Sequence, residues 1–282
     1  MSTAIVPLED DVGDVLEKAM KWSGLTVEQV AASANIALSR ILDAIDYRSD
    51  LTPVELCRLS AVLHLNDVGL CALGNQSYPI PACPGLPFVV HPLRMSHGVG
   101  VANAYVVSAP GSSHGILFDT GPNLVALLQD WPVTIKHIDA VFLTHIEGEH
   151  TGGLCDVVDY FGITRAYVPE GCQAPCGDAF TEGETRQWDP FSVQAYSTPG
   201  HASAHNCYRV ISMRTSAKPV ELLIAGDLIF AGSVGGSYFS GRVHQEQLAR
   251  IVGLCAKNTV IAAGHGPLTT LAHERRFNPF LV

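Results

Sequence analysis

Between residues 101 and 265 the chain repeats one device: a short apolar run that closes on a histidine or an aspartate. IDAVFLTH (138–145) ends at His145, FSVQAYSTPG (191–200) leads to His201, ELLIAGD (221–227) ends at Asp227 and TVIAAGH (259–265) ends at His265. HGILFDT (114–120) carries Asp119 at its end. With VANAYVVSA (101–109) and NCYRVISM (206–213), these runs are rich in Val, Ile, Phe and Tyr. Turn residues such as those at 109–113 separate several of them, so they read as strands. Helical stretches at 124–131, 153–161, 244–255 and 270–277 fall between them, which indicates an α+β or α/β layered fold. Ligand-type side chains at strand ends converge on one rim of such a sheet, where the scaffold holds the loops rigidly.

The first 76 residues have another texture. Val12, Val15, Leu16 and Ala19 fall at helical spacing up to Gly24, and Val30, Ala31 and Ala34 follow a start at Thr26 with Glu28 and Gln29 behind it. Ile36, Leu38, Ile41, Leu42 and Ile45 make a third apolar stripe. Thr52-Pro53-Val54-Glu55 is a helix start with a cap, a first-turn proline and a first-turn acid. NQSYPIPACPGLP (75–87) has four prolines and no periodicity. The division expected is a helical domain at 1–76, a linker at 77–87 and a strand-rich domain at 88–282. Histidines follow the same division, because only His64 of the 12 precedes residue 77.

Charge and composition exclude several classes. Seventeen Lys and Arg against 27 Asp and Glu leave a net charge of −10, which repels phosphate backbones. At 47% hydrophobic residues the chain can bury a core and is not globally disordered. No apolar run reaches the ~18–20 residues of a membrane span, and MSTAIVPLEDDVGD has no secretory pattern, so a cytoplasmic protein is expected. The eight cysteines form no framework and read as reduced thiols.

The densest cluster of ligand-type residues is THIEGEHTGG (144–153), with His145, Glu147, Glu149 and His150 within six residues. Alone it fits a solvated acidic turn as well as a turn around a divalent ion such as Zn, Fe or Mn. There is no P-loop, no Rossmann glycine pattern after a strand and no Gly-x-Ser-x-Gly elbow.

Two family resemblances bear on these segments. LTVEQVAASANIALSRILDAIDYRSDLTPVELCRLSAVLHLN (25–66) resembles the lambda-repressor type of helix-turn-helix domain, with Ile36–Asp46 as the recognition helix. That helix carries Arg40 against Asp43 and Asp46, which is poor chemistry for reading DNA, so a docking, dimerising or substrate-shaping segment is expected and nucleic acid is not. From about residue 88 onward, His145-x-Glu147-x-Glu149-His150, His201 in TPGH, Asp227 in AGD and His265 in AGHGP resemble the metallo-β-lactamase superfamily, as do NAYVV and FDTG.

The second resemblance implies a four-layer αββα sandwich and one or two metal ions. It implies His145, Glu147 and His201 at one metal, and Glu149, His150 and His265 at the other. Asp227 would lie between them, and Asp119 would orient the ligand loop. Glu149 and Asp227 are also the residues assigned to catalysis. His205 is left outside the metal ligands. The family pattern has His at 147 and Asp at 149, so both glutamates depart from it.

A third carboxylate brings the site from about +1 to about 0, which weakens Lewis acidity and favours Mn or Fe over Zn. The activity expected is hydrolysis of an ester, thioester, lactone or phosphoester by a metal-bound hydroxide on a small-molecule substrate. GDLIFAGSVGG (226–236) and GHGPLT (264–269) are similar to the hydroxyacylglutathione hydrolase branch. The alternative is a metal- or ligand-binding regulator whose helical segment docks to a partner or to DNA. The helical segment is also a candidate homodimer surface.

Overall fold

The computed structural model describes residues 6–98, 100–214 and 220–282. Five helices come first: α1 Val12–Ser23, α2 Val27–Ala34, α3 Leu38–Ile45, α4 Pro53–Leu63 and α5 Asp67–Gly74. Their starts have local causes. Asp11, Thr26 and Thr52 each accept a backbone N–H of the first turn, and Asp14, Gln29 and Glu55 reach back to the cap residue. Each box satisfies two of the backbone donors that a helix start leaves free. Pro53 occupies a first-turn position of α4, where no backbone N–H is needed. Gly24 and Asn35 end α1 and α2 in the left-handed region.

The rest of the chain builds two six-stranded sheets. The first holds, in spatial order, β1 Val89–His97, β2 Gly100–Ser108, β3 His114–Phe118, β4 His137–Phe142, β5 Ala166–Pro169 and β6 Asp178–Phe180. The second runs from β12 Thr269–Thr270 through β11 Val260–Ala263, β10 Leu222–Gly226, β9 Asn206–Ser212 and β8 Phe191–Ser197 to β7 Thr185–Trp188. Between the strands lie α6 Leu124–Gln129, α7 Gly148–Thr151, α8 Leu154–Phe161, α9 Gly241–Leu254 and α10 Leu271–Phe277.

Three buried clusters fill the spaces between these layers. Phe118, Phe142, Tyr208, Val193 and Ile224 are among the side chains packed between the sheets. Leu127, Leu154 and Val157 of α6 and α8 cover the outer face of the first sheet through Val106, Leu117 and Val141. The outer face of the second sheet, with Leu223, Ala225 and Ile261, packs against Leu248 and Ile251 of α9. The layers are therefore helix, sheet, sheet, helix. Val15, Leu16, Val30, Leu56 and Leu70 of the first five helices join the cluster on the second face, so these helices share one apolar interior with α9 and α10. Close backbone packing helps, because a Cβ on Gly69 of α5 would stand 1.9 Å from the carbonyl oxygen of Phe277.

Candidate metal centre

The rim where the strands end gathers the ligand-type side chains. Asp119 follows β3, His145 lies three residues beyond β4, His201 lies four beyond β8, Asp227 directly follows β10 and His265 lies two beyond β11. Glu147 caps α7, which carries Glu149 and His150. Two sets of ligand atoms each lie within 4.8 Å of one another: His145, His201 and Asp227 in one, Glu149, His150 and His265 in the other. Asp227 joins the two, with Oδ2 3.6 Å from His201 Nε2 and 3.5 Å from His265 Nε2, and Oδ1 3.7 Å from His150 Nε2. Glu147 Oε1 is 3.1 Å from His201 Nε2. Six of the seven residues singled out for metal fall in these two sets, and Glu147, which is in neither among the described residues, reaches the site through His201.

The outer nitrogens of His145, His201 and His265 are hydrogen-bonded, and that of His150 has a carboxylate close by without a hydrogen bond. Asp119 accepts the Thr144 N–H at 2.7 Å and its hydroxyl at 2.9 Å, and the Thr144 oxygen lies 2.9 Å from His145 Nδ1. Asp119 Oδ2 is also 3.3 Å from His150 Nδ1. It makes these contacts at a φ of 59°, unusual for a residue with a side chain. His201 Nδ1 donates to Gly236 O at 2.6 Å and His265 Nδ1 to Val101 O at 3.0 Å. Asn103 of β2 donates to Ala263 O and Gly266 O, and Tyr105 to Ala263 O, which ties the His265 loop to the first sheet. Outer-nitrogen partners of this kind fix the tautomer and turn the second nitrogen inward.

Three of the inward atoms are left without partners. Among the described residues His145 Nε2, His150 Nε2 and Asp227 Oδ1 are buried and make no hydrogen bond, and the buried His201 Nε2 faces only the carboxylates of Glu147 and Asp227. Buried polar atoms are normally paired, so three orphans and an imidazole nitrogen met only by carboxylates, all around one volume, fit an ion with nitrogen and oxygen ligands. The glycines of AGD and AGHGP keep this volume open. A Cβ on Gly264 would stand 2.1 Å from Asp227 Oδ1, and one on Gly226 (φ 47°) 2.7 Å from His205 Nε2.

The metal-free protein distributes charge around Asp227. Burial opposes its ionisation, but His265, His201 and His150 outweigh that and hold its carboxyl well below the usual range. Burial works against charge on His265 as well, yet Asp227 and Glu9 bring it up to about 9. Burial and the neighbouring His150 push His145 well below the usual histidine value. His205 is not in either ligand set among the described residues. Its Nε2 accepts the Asp227 N–H at 3.1 Å, its Nδ1 faces Thr198 Oγ1 at 2.8 Å, and burial takes it down to about 3. It steadies the Asp227 backbone.

Tyr238, on the loop after Asp227 where the sequence places a residue able to touch substrate, reaches the site together with neighbours that have no local signal in the sequence. The Tyr238 ring crosses the His201 ring at 5.3 Å, and Lys21 of α1 lies 5.1 Å above the Tyr238 ring. His97 Nε2 is 3.7 Å from Glu149 Oε2, and Glu9 Oε1 is 3.6 Å from His265 Nδ1. Trp22 donates to Ser237 Oγ at 2.7 Å, and that hydroxyl lies 3.0 Å from His244 Nδ1. Lys21, Glu9 and Trp22 come from the opposite end of the chain, and no spacing rule links them to a histidine at 201 or 265.

Acid should destabilise the metal-free protein. His205, at about 3, and His244, taken by burial to about 4, are neutral when folded and take up protons near pH 6.5 when unfolded. Stability is lost as pH falls below about 6.5, at about 1.4 kcal/mol per group for each pH unit. His265 is already charged in both states there and adds no slope; its contribution is lost as pH rises through about 9. Urea unfolding of the chelated protein should show a midpoint falling steeply from pH 7 to 5. A flat midpoint over that range would contradict the assignment.

A family model of the metallo-beta-lactamase superfamily matches residues 97–265, more than half of the chain, and the protein belongs to that superfamily. The chain is 26% identical over 220 residues to an uncharacterised protein of Mycobacterium tuberculosis, covering 65% of this chain and 94% of that one. It is 28% identical over 189 residues to a hydroxyacylglutathione hydrolase of Haemophilus influenzae, covering 58% and 86%. A solved structure in a di-iron-bound form superposes with a TM-score of 0.51 at 25% identity, over 67% of this chain and 99% of that one. Among the described residues no helix is long and apolar enough to cross a membrane.

Proposed function

We propose that the protein is a metal-dependent hydrolase of a small carbonyl or phosphoryl ester. The observation that carries this reading is the set of buried inward atoms on His145, His150, His201 and Asp227, of which those on His145, His150 and Asp227 make no hydrogen bond. His145, Glu147 and His201 would hold one ion, Glu149, His150 and His265 the other, with Asp227 between them. A divalent ion there would supply a water more acidic than bulk water and a Lewis acid for the substrate oxygen. The chain's own part is orientation: Asp119, Gly236 O and Val101 O hold the rings, and Asp227 holds both sets together. Tyr238, exposed beside His201, is placed to touch substrate.

Among carbonyl substrates we favour thioesters, on the likeness to the hydroxyacylglutathione hydrolase, with esters and lactones next and phosphoesters last. Three carboxylates in the ligand set favour iron or manganese over zinc, and the di-iron neighbour agrees with that preference. The helical segment we read as a support for this site. Arg40, the cation on its would-be recognition helix, donates to Glu55, Ser49 and the Asp50 carbonyl and is not free to meet phosphate. Random duplex DNA should therefore show no retention at low salt.

The activity test is a panel of thioester, ester, lactone and phosphodiester substrates, assayed after chelation and after return of Fe, Mn or Zn. Turnover of at least one carbonyl substrate should vanish on chelation and return with iron or manganese. No turnover with any metal would sink the proposal in favour of a binding regulator.

A further inference from the structure

We propose that Glu9, carried in by the segment before α1, is a positioning residue that holds His265 for the second metal position. The proposal rests on the metal-site reading above. His265 has two edges. Its Nε2 faces Asp227 Oδ2 at 3.5 Å, and its Nδ1 donates to Val101 O at 3.0 Å with Glu9 Oε1 at 3.6 Å on the same edge. A carboxylate on the outer edge of an imidazole fixes the ring and raises the basicity of the inner nitrogen. Asp119 does this for His150, from the end of β3. For His265 the carboxylate comes from outside both sheets.

Glu9 sits in van der Waals contact with the site's backbone and is pinned by its neighbour. A Cβ on Gly266 would stand 3.4 Å from the Glu9 nitrogen, and one on Gly100 would stand 3.6 Å from Glu9 Oε1, so the segment lies directly against the His265 loop. The next residue locks it there. Asp10 is half-buried and takes both Lys18 Nζ and the Ser233 hydroxyl, while Lys18 also donates to Val234 O at 2.8 Å. Ser233 and Val234 lie on the loop after Asp227, so one latch fixes Glu9 against one proposed ligand and braces the loop of another. The helical segment and the two sheets thus form a single metal-binding unit.

Cobalt(II) titration of the full chain, followed by visible absorption, tests this. The wild type should take up two equivalents. In Glu9→Gln the first equivalent should bind as before and the second about tenfold more weakly, with an altered cobalt spectrum for that step. The unfolding midpoint of the metal-free variant at about pH 10, above the titration of His265, should match the wild type, which a merely structural residue would not leave unchanged. An unchanged second equivalent overturns the role of Glu9 alone. Equal weakening of both equivalents with a lower metal-free midpoint also overturns it, in favour of general packing. A wild type that takes up fewer than two equivalents overturns the two-metal reading and this proposal with it.

Discussion

Asp227→Ala should lower kcat/KM by about 10³-fold or more, about 4 kcal/mol of transition-state stabilisation. The size follows from position. Among the described residues Asp227 is the one carboxylate within 3.5–3.7 Å of His150, His201 and His265 together, so its loss strips both proposed metal positions at once. Metal content after gel filtration should fall below one ion per chain. The metal-free form should also lose stability, because three inward imidazoles would keep their mutual repulsion and lose the anion that balances it. Activity within tenfold of wild type, with full metal content, would remove Asp227 from the site. Asp227→Asn serves as the companion, since it keeps the shape and removes only the charge.

Glu274→Ala should cost about 3 kcal/mol of folding stability, and more if the site cannot admit water. Glu274 lies on α10 and is wholly buried. Its carboxylate accepts from Tyr78 at 3.0 Å, Gly232 N at 3.0 Å, Thr269 Oγ1 at 2.6 Å and Asn278 Nδ2 at 2.8 Å. These donors come from the stretch after α5, the loop after Asp227, β12 and the residue after α10. Burial raises its pKa against the pull of those donors. Asn278 in turn donates to Phe230 O and Ser233 O, so the same knot fixes the loop that receives Lys18 and Asp10. Urea unfolding measures the loss. A change under 1 kcal/mol would mean that the donors find water or new partners without strain.

Much of the local structure was legible before any coordinates. The caps at Thr26 and Thr52, Pro53 at the start of α4 and the left-handed stops at Gly24 and Asn35 follow from short-range hydrogen bonding that neighbours in sequence dictate. The apolar runs that end near His145, Asp227 and His265 became β4, β10 and β11, because a strand is apolar wherever both its faces are buried, which holds for all of β10 and β11 and for residues 140–142 of β4. Less legible were β1 and β7. VVHPLRMSH has a proline inside it, which an edge strand tolerates, and TRQW is short and mostly exposed. Their pairing depends on the neighbour strand more than on their own pattern.

The metal-type residues could be named from sequence because their chemistry and order are carried by short motifs. Their partners could not. Asp119 meets His150, His205 takes the Asp227 N–H, and Glu9 meets His265 only when strands from two sheets and a segment before the first helix reach the same rim. Runs that close on histidine or aspartate determine that a rim site exists. Which residues brace those ligands is decided by packing across the whole chain, because a hydrogen bond or ion pair needs proximity in space and is indifferent to separation in sequence.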